Sequence, residues 1–264
     1  MLEILFRYLL LAGFLVLTAC SSSPDGDDPT SSMTAQEIYE AAKEYVEGLE
    51  YESAIEYYEK LESRFPYGPY AAQAQLEIAY AYYKFMEPES AILAAERFIK
   101  LHPDHPSVDY AYYLRGLARY DSELSFMASW FDQDPAERDP KSIREAFQYF
   151  SELVTRFPES RYLKDAVQRM YGLRDDMAKY EMFVARYYMD RAAYVAAANR
   201  AQYVVKNFQG TSSVSEALDI MVKAYTHLDL NDLAKDAQRV LEKNYPDYGR
   251  DEGQVTSDEE NRKF

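Results

Sequence analysis

YESAIEYYEKLESRFP (51–66) and EPESAILAAERFIKLHP (87–103) share one pattern. In each, an alanine (Ala54 or Ala91) lies twelve residues before a closing proline (Pro66 or Pro103). SIREAFQYFSELVTRFP (142–158), YVAAANRAQYVVKNFQ (194–209) and DLAKDAQRVLEKNYP (232–246) repeat it around Ala146, Ala197 and Ala234, closing on Pro158, Gln209 and Pro246. The closing positions are separated by 37, 55, 51 and 37 residues, so two intervals equal 37 and the others exceed it by 18 and 14. A second helical stretch precedes each segment, as in AQLEIAYAYYK (74–84) and ALDIMVKAYTHL (217–228). The physical unit is a helix pair. A small residue lets two helices approach closely, and a proline after the second helix cannot continue it. One pair cannot cover its own apolar face, so several must stack.

The pattern resembles the tetratricopeptide repeat (TPR), a helix–turn–helix of about 34 residues. The expected fold is all-α: a TPR superhelix of five helix-pair repeats over residues 34–248 (about 34–68, 72–105, 108–160, 161–211 and 215–248), with insertions in the third and fourth. The first insertion follows a helix expected over 108–120 and holds SFMASWFDQDPAERDP (125–140), whose Phe126, Trp130 and Phe131 either pack back on the array or present a binding patch. The second lengthens 161–189 into one long helix with Gly172 inside. Residues 249–264 read as a disordered acidic tail.

Composition narrows the function. Of 264 residues, 29 are basic and 45 acidic, a net charge of −16 that argues against nucleic acid as a partner. Cys20 is the single cysteine, so neither an intrachain disulfide nor a cysteine-based metal site can form. With three histidines and no phosphate loop, nucleophile elbow or metalloprotease motif, no catalytic residues, metal ligands or cofactor are assigned. His102 and His105 lie in a proline-flanked turn and read as turn residues rather than metal ligands. The chain is not expected to be an enzyme.

The N-terminus reads as an address. Residues 8–19 form an apolar run too short to span a bilayer and follow Arg7, as in a signal peptide covering 1–19. Leu17-Thr18-Ala19-Cys20 resembles the bacterial lipobox, which implies a covalent lipid on Cys20 and anchoring rather than spanning. Residues 20–33, rich in Ser, Pro and Asp, then form a solvated tether. Ser21 after the cysteine implies, by the same resemblance, transport to the outer membrane with the protein facing the periplasm.

In TPR folds the first helix of each pair lines an inner groove. That expectation turns Tyr39, Lys43 and Val46 inward in the first repeat, and Leu76, Tyr80, Tyr83 and Lys84 in the second. Aromatic faces beside ammonium groups suit a peptide with apolar side chains and a terminal carboxylate. The same tyrosines also serve as packing between repeats, and the two readings stay open.

The turns sharpen the resemblance. Arg64-Phe65-Pro66-Tyr67-Gly68-Pro69-Tyr70, QLEIAYAYYK (75–84), RFIKLHPDHPSVDYAYYLRGL (97–117), Arg138-Asp139-Pro140 and AKYEMFVARYYMDRAAYVAAANR (178–200) resemble the BamD family, TPR lipoproteins of the outer-membrane β-barrel assembly (BAM) machinery. The resemblance implies a non-enzymatic scaffold. Its C-terminal repeats would bind the barrel-forming subunit with periplasmic repeat domains (BamA-like), and its N-terminal repeats would receive unfolded β-barrel proteins. Accessory BAM lipoproteins are further implied partners. Matched residue by residue, Arg191 and Arg200 fall at the contact with the barrel-forming subunit, with an intramolecular salt bridge as the other reading of Arg200. The Tyr67-Gly68-Pro69-Tyr70 turn joins Tyr80, Tyr83 and Lys84 as the implied substrate groove. A different lipidated TPR adaptor, a secretin pilotin or a cell-wall enzyme regulator, would share lipobox and repeats but not that turn.

Overall fold

The computed structural model describes residues 28–129 and 140–249. The signal segment, Cys20, Trp130, Phe131, Arg138 and Asp139 lie outside them, as do the side chain of Phe126 and all but the first residue of the tail. Among the described residues the secondary structure is ten α-helices and no strand. They form five consecutive pairs: α1 Ala35–Glu47 with α2 Tyr51–Arg64, α3 Ala71–Lys84 with α4 Pro88–Leu101, α5 Val108–Ser129 with α6 Lys141–Arg156, α7 Leu163–Asp190 with α8 Tyr194–Asn207, and α9 Val214–His227 with α10 Asn231–Asn244. Each helix packs on the next, and the first helices of neighbouring pairs meet at α3–α5 and α7–α9. The fold is a TPR superhelix.

The spaced alanines explain the closeness of the pairs. Ala54, Ala91, Ala146 and Ala197 are fully buried, and Ala234 nearly so. At each closing position the second helix ends on an aromatic cap (Phe65, His102, Phe157, Phe208 or Tyr245), whose N–H donates to the carbonyl four residues back. Gln209 does not disturb this: Phe208 N–H reaches the Val204 carbonyl at 2.9 Å, the same bond made before each proline.

The turn inside a pair is equally regular. Leu49, Met86, Ala192 and Asp229 all adopt φ between 56° and 65°, the left-handed region. In each case the left-handed residue donates to the carbonyl three back, and the next residue to the carbonyl five back. This double bond closes a helix C-terminus where glycine is the usual choice. None of the four is glycine, so the turn carries backbone strain that the flanking packing overcomes.

Three helix features bear on the site. The chain entering α1 folds back on α2. Arg64 donates to the carbonyls of Thr30, Ser31 (3.2 Å) and Met33 (3.3 Å), and Lys60 pairs with Asp28 at 3.0 Å. Lys60, followed by the backbone and hydroxyl of Thr30, holds the Asp28 carboxyl down at about 2. Next, α5 runs to Ser129, beyond the expected end near 120, because residues 121–129 contain neither proline nor glycine to stop it. Finally, α7 is 28 residues long and serves two cores, Leu173 belonging to one and Ala178 to the other.

Candidate functional site

Tyrosines lie on, or at the N-caps of, the first helices α1, α3, α5 and α7, the helices expected to line the inner face. Tyr39 stacks on Tyr70 with centroids 5.1 Å apart, and Tyr113 on Tyr162 at 4.6 Å. These are equivalent pairs. Tyr70 and Tyr162 each stand four residues after a closing proline, and their partners precede them by 31 and 49 residues, a difference equal to the 18-residue insertion. Tyr80, Tyr83 and Tyr110 lie half-buried against the central core, Tyr110 with its ring centroid 5.4 Å from that of Tyr162. Burial pushes the Tyr110 phenol up, with Tyr162, Glu77, Tyr80 and Tyr83 adding to it.

One end of this face is tied by a polar network spanning three repeats. Tyr83 on α3 donates to Asp121 on α5, and Tyr113 on α5 donates to Asp165 on α7 at 2.6 Å. Arg169 holds both carboxylates, Asp165 at 2.6 Å and Asp121 at 3.8 Å, with its guanidinium 4.7 Å from the Tyr120 ring centroid. Burial and the Asp165 bond push Tyr113 up to about 12. Asp165, although burial opposes its charge, is held below the ordinary carboxylate range by Tyr113 and Arg169. Tyr83 and Tyr113 thus serve as inter-repeat braces.

The expected groove residues are partly reunited. Tyr39 and Tyr70 stack on each other against the core of the first repeat, and Tyr80 and Tyr83 pack against the central core. Lys43 and Lys84 lie exposed on α1 and α3, one helical turn after Tyr39 and Tyr80. Leu76 is 2% exposed within the central core and so is closed to a groove, while Val46, like Tyr39 and Tyr70, lies half-buried against the core of the first repeat. The Tyr67-Gly68-Pro69-Tyr70 turn is divided. Tyr67 is 99% exposed, while Tyr70 lies stacked under Tyr39. Position along the turn decided this, and the two tyrosines look alike in sequence.

The two arginines differ as well. Arg191 caps α7, exposed, with its guanidinium 4.3 Å from the ring centroid of Tyr187. Arg200 on α8 pairs with Glu181 at 2.9 Å, and the Glu181 side chain is only 11% exposed. Arg200 therefore neutralises a buried carboxylate within its own repeat. His102 bonds Gln75 at 2.9 Å and stacks near Phe98, a turn residue tied to the core.

Sequence reading missed Glu77, Tyr110, Asp121, Tyr162 and Arg169 on the inner face. Only the Asp165/Arg169 spacing of four signals a helical ion pair; the contacts across repeats leave no local trace. It also missed a cleft of about 700 Å³ between α7, α9 and α10, lined by Arg186, Asp190, Ile220, Lys223, Leu241 and Tyr248. Its cations are paired internally, Arg186 with Glu216 and Lys223 with Asp219, each at 2.7 Å.

Comparison with known proteins follows the same architecture. A family model described as an outer membrane lipoprotein, YfiO, matches residues 31–241. The outer membrane protein assembly factor BamD of Neisseria gonorrhoeae is 47% identical over 235 residues, covering 88% of this chain and 88% of its own. That of Vibrio cholerae is 35% identical over 243 residues, 90% of this chain and 99% of its own. Among solved structures, PilW, a widely conserved type IV pilus biogenesis factor, aligns over 86% of this chain at 14% identity with a TM-score of 0.33, too remote to bear on function. By its repeats, its turns and these relatives, the chain belongs to the YfiO family of outer membrane lipoproteins, to which it is joined by BamD assembly factors of several species.

Proposed function

We propose that this chain is a non-enzymatic scaffold of outer-membrane protein assembly, anchored at the periplasmic face of the outer membrane by lipid on Cys20. Its C-terminal repeats bind a BamA-like barrel-forming subunit around Arg191, and accessory BAM lipoproteins join the same assembly. Its N-terminal repeats receive unfolded β-barrel proteins along the tyrosine face. The names of its relatives support the assembly role. The observation that carries the receiving role is the inner face itself. Two equivalent tyrosine stacks, with further tyrosines against the central core, offer flat, amphipathic surface for an extended segment whose alternate side chains are apolar.

The anchor and the scaffold are tested together. In cells that depend on this chain, its depletion is expected to leave outer-membrane β-barrel proteins unfolded and protease-sensitive in the periplasm. A Cys20→Ala variant is expected to leave the membrane fraction. Normal barrel assembly on depletion would refute the role, and a Cys20→Ala chain that stays membrane-bound would refute the anchor.

A further inference from the structure

Within the inner face one carboxylate differs from its neighbours. Asp121 and Asp165 are each met by a tyrosine hydroxyl and by Arg169. Glu77, on α3, accepts a single neutral bond from Gln73 Nε2 at 2.8 Å. Among the described residues no lysine or arginine comes within ion-pair distance of it. Lys84 stands seven positions further along α3, about 10 Å along the helix axis. Glu77 is half-buried, where a charge is ordinarily paired.

Its surroundings are aromatic. Three residues before Glu77 on α3, Ala74 packs in the core that holds Tyr39, Tyr58 and Tyr70, and three residues after it Tyr80 packs against the core that also holds Tyr110. Burial, and after it the charge of Glu77, pushes the phenols of Tyr39, Tyr58 and Tyr110 up. Tyr80 follows Glu77 by three residues on the same face of α3, and Tyr70 stacks on Tyr39. The Tyr58 hydroxyl is buried and makes no hydrogen bond. A carboxylate that retains free acceptor positions, on a helix packed among tyrosines, complements an organic cation: the carboxylate supplies the counter-charge and the tyrosines offer rings for a cation–π contact.

We propose that Glu77, with Tyr39, Tyr70, Tyr80 and Tyr110 around it, is a subsite for a cationic side chain, arginine or lysine, of the segment held in the groove. This rests on the tyrosine face being a peptide groove, and it deepens that reading by naming what the occupant carries. The expected terminal carboxylate does not suit this position, because it would meet Glu77 as a like charge. The occupant is instead an extended segment with aromatic or aliphatic side chains and a basic residue aligned with Glu77.

The test uses the full chain purified in detergent. The probes are fluorescein-labelled, amidated octapeptides alternating tyrosine and threonine around a central arginine, citrulline or glutamate, and binding is read by anisotropy at low salt. The native chain is expected to bind the arginine peptide about tenfold more tightly than the citrulline peptide. Glu77→Gln should abolish that preference while still binding the citrulline peptide. Glu242→Gln should retain it, since Glu242 also accepts one bond from a glutamine four residues earlier (Gln238, 2.7 Å) but lies on the exposed face of α10. Equal binding of arginine and citrulline peptides by the native chain would overturn the subsite, as would a preference that survives Glu77→Gln. Failure to bind any of the three would overturn the groove reading and the subsite with it.

Discussion

Gly116 sits where α5 crosses α6 with no room for a methyl group. A Cβ there would stand 2.6 Å from Cε1 of Phe150, a ring that is fully buried. Gly116→Ala is expected to destabilise the fold by about 1–3 kcal/mol through overpacking, read as a lowered urea midpoint at unchanged slope. The paired arginines separate by the same reasoning. Arg200→Ala strips the partner from the buried carboxylate of Glu181 and should cost about 1–3 kcal/mol. Arg191→Ala removes only an exposed ring contact and should change stability by less than about 0.5 kcal/mol. Equal denaturation midpoints for the two variants would contradict this assignment. At this scale the sequence was a partial guide. Tyr39, Tyr80 and Tyr83 were legible because their helix and phase were, whereas Tyr110, Tyr113 and Tyr162 were not singled out. The pairing of Arg200 stood as one of its two readings, but its partner Glu181 was not named. The division of Tyr67 from Tyr70 and the isolation of Glu77 were not legible, because they depend on packing across repeats.

The helices themselves were the most legible part, for a physical reason: the alanine at closest approach and the proline at the stop are both local signals. The intra-pair turns were less so. Leu49, Met86 and Ala192 are unusual choices for a left-handed position, so the turn had to be inferred from the helices on either side. The long helix α7 shows what an insertion does. It carries Leu173 into the core shared with α5 and α6, and Ala178 into the core shared with α8 and α9. Gly172, next to that junction, is exposed, and a Cβ there would meet nothing within 4 Å. Gly172→Ala should therefore stabilise the chain by about 0.5–1 kcal/mol by restoring helix propensity. Thermal denaturation checks this, and a lower midpoint would mean that the glycine is needed for a shape of α7 that alanine resists.

Across the whole molecule, the repeats make tyrosine the shared material of the interfaces, and that gives the array a characteristic alkaline response. Tyr82 and Tyr113 are pushed up to about 12, by burial first and then by hydrogen bonds to Glu59 and Asp165. The ordinary phenol value is 10.0. A group whose pKa is raised on folding contributes stability that is fully present below its unfolded value and is lost as pH rises through the folded one. Stability should therefore fall from about pH 10 upward, more gently in Tyr113→Phe, as measured by urea midpoints at stepped pH. At the N-terminal end of the array, the Arg64 and Lys60 contacts hold residues 28–33 against α2. The seven residues between Cys20 and Asp28 let these two positions stand at most about 28 Å apart. With the proposed lipid on Cys20, that length would keep the first repeat close to a membrane and leave the C-terminal repeats free for the proposed partner. The most direct test of this arrangement is affinity capture of the full chain from gently solubilised membranes, with the recovered proteins identified by mass spectrometry and Arg191→Ala run in parallel. The account predicts a large outer-membrane barrel protein with periplasmic repeat domains, recovered by the native chain and reduced for the folded Arg191→Ala variant. Recovery of a secretin or a cell-wall enzyme in its place would contradict the account.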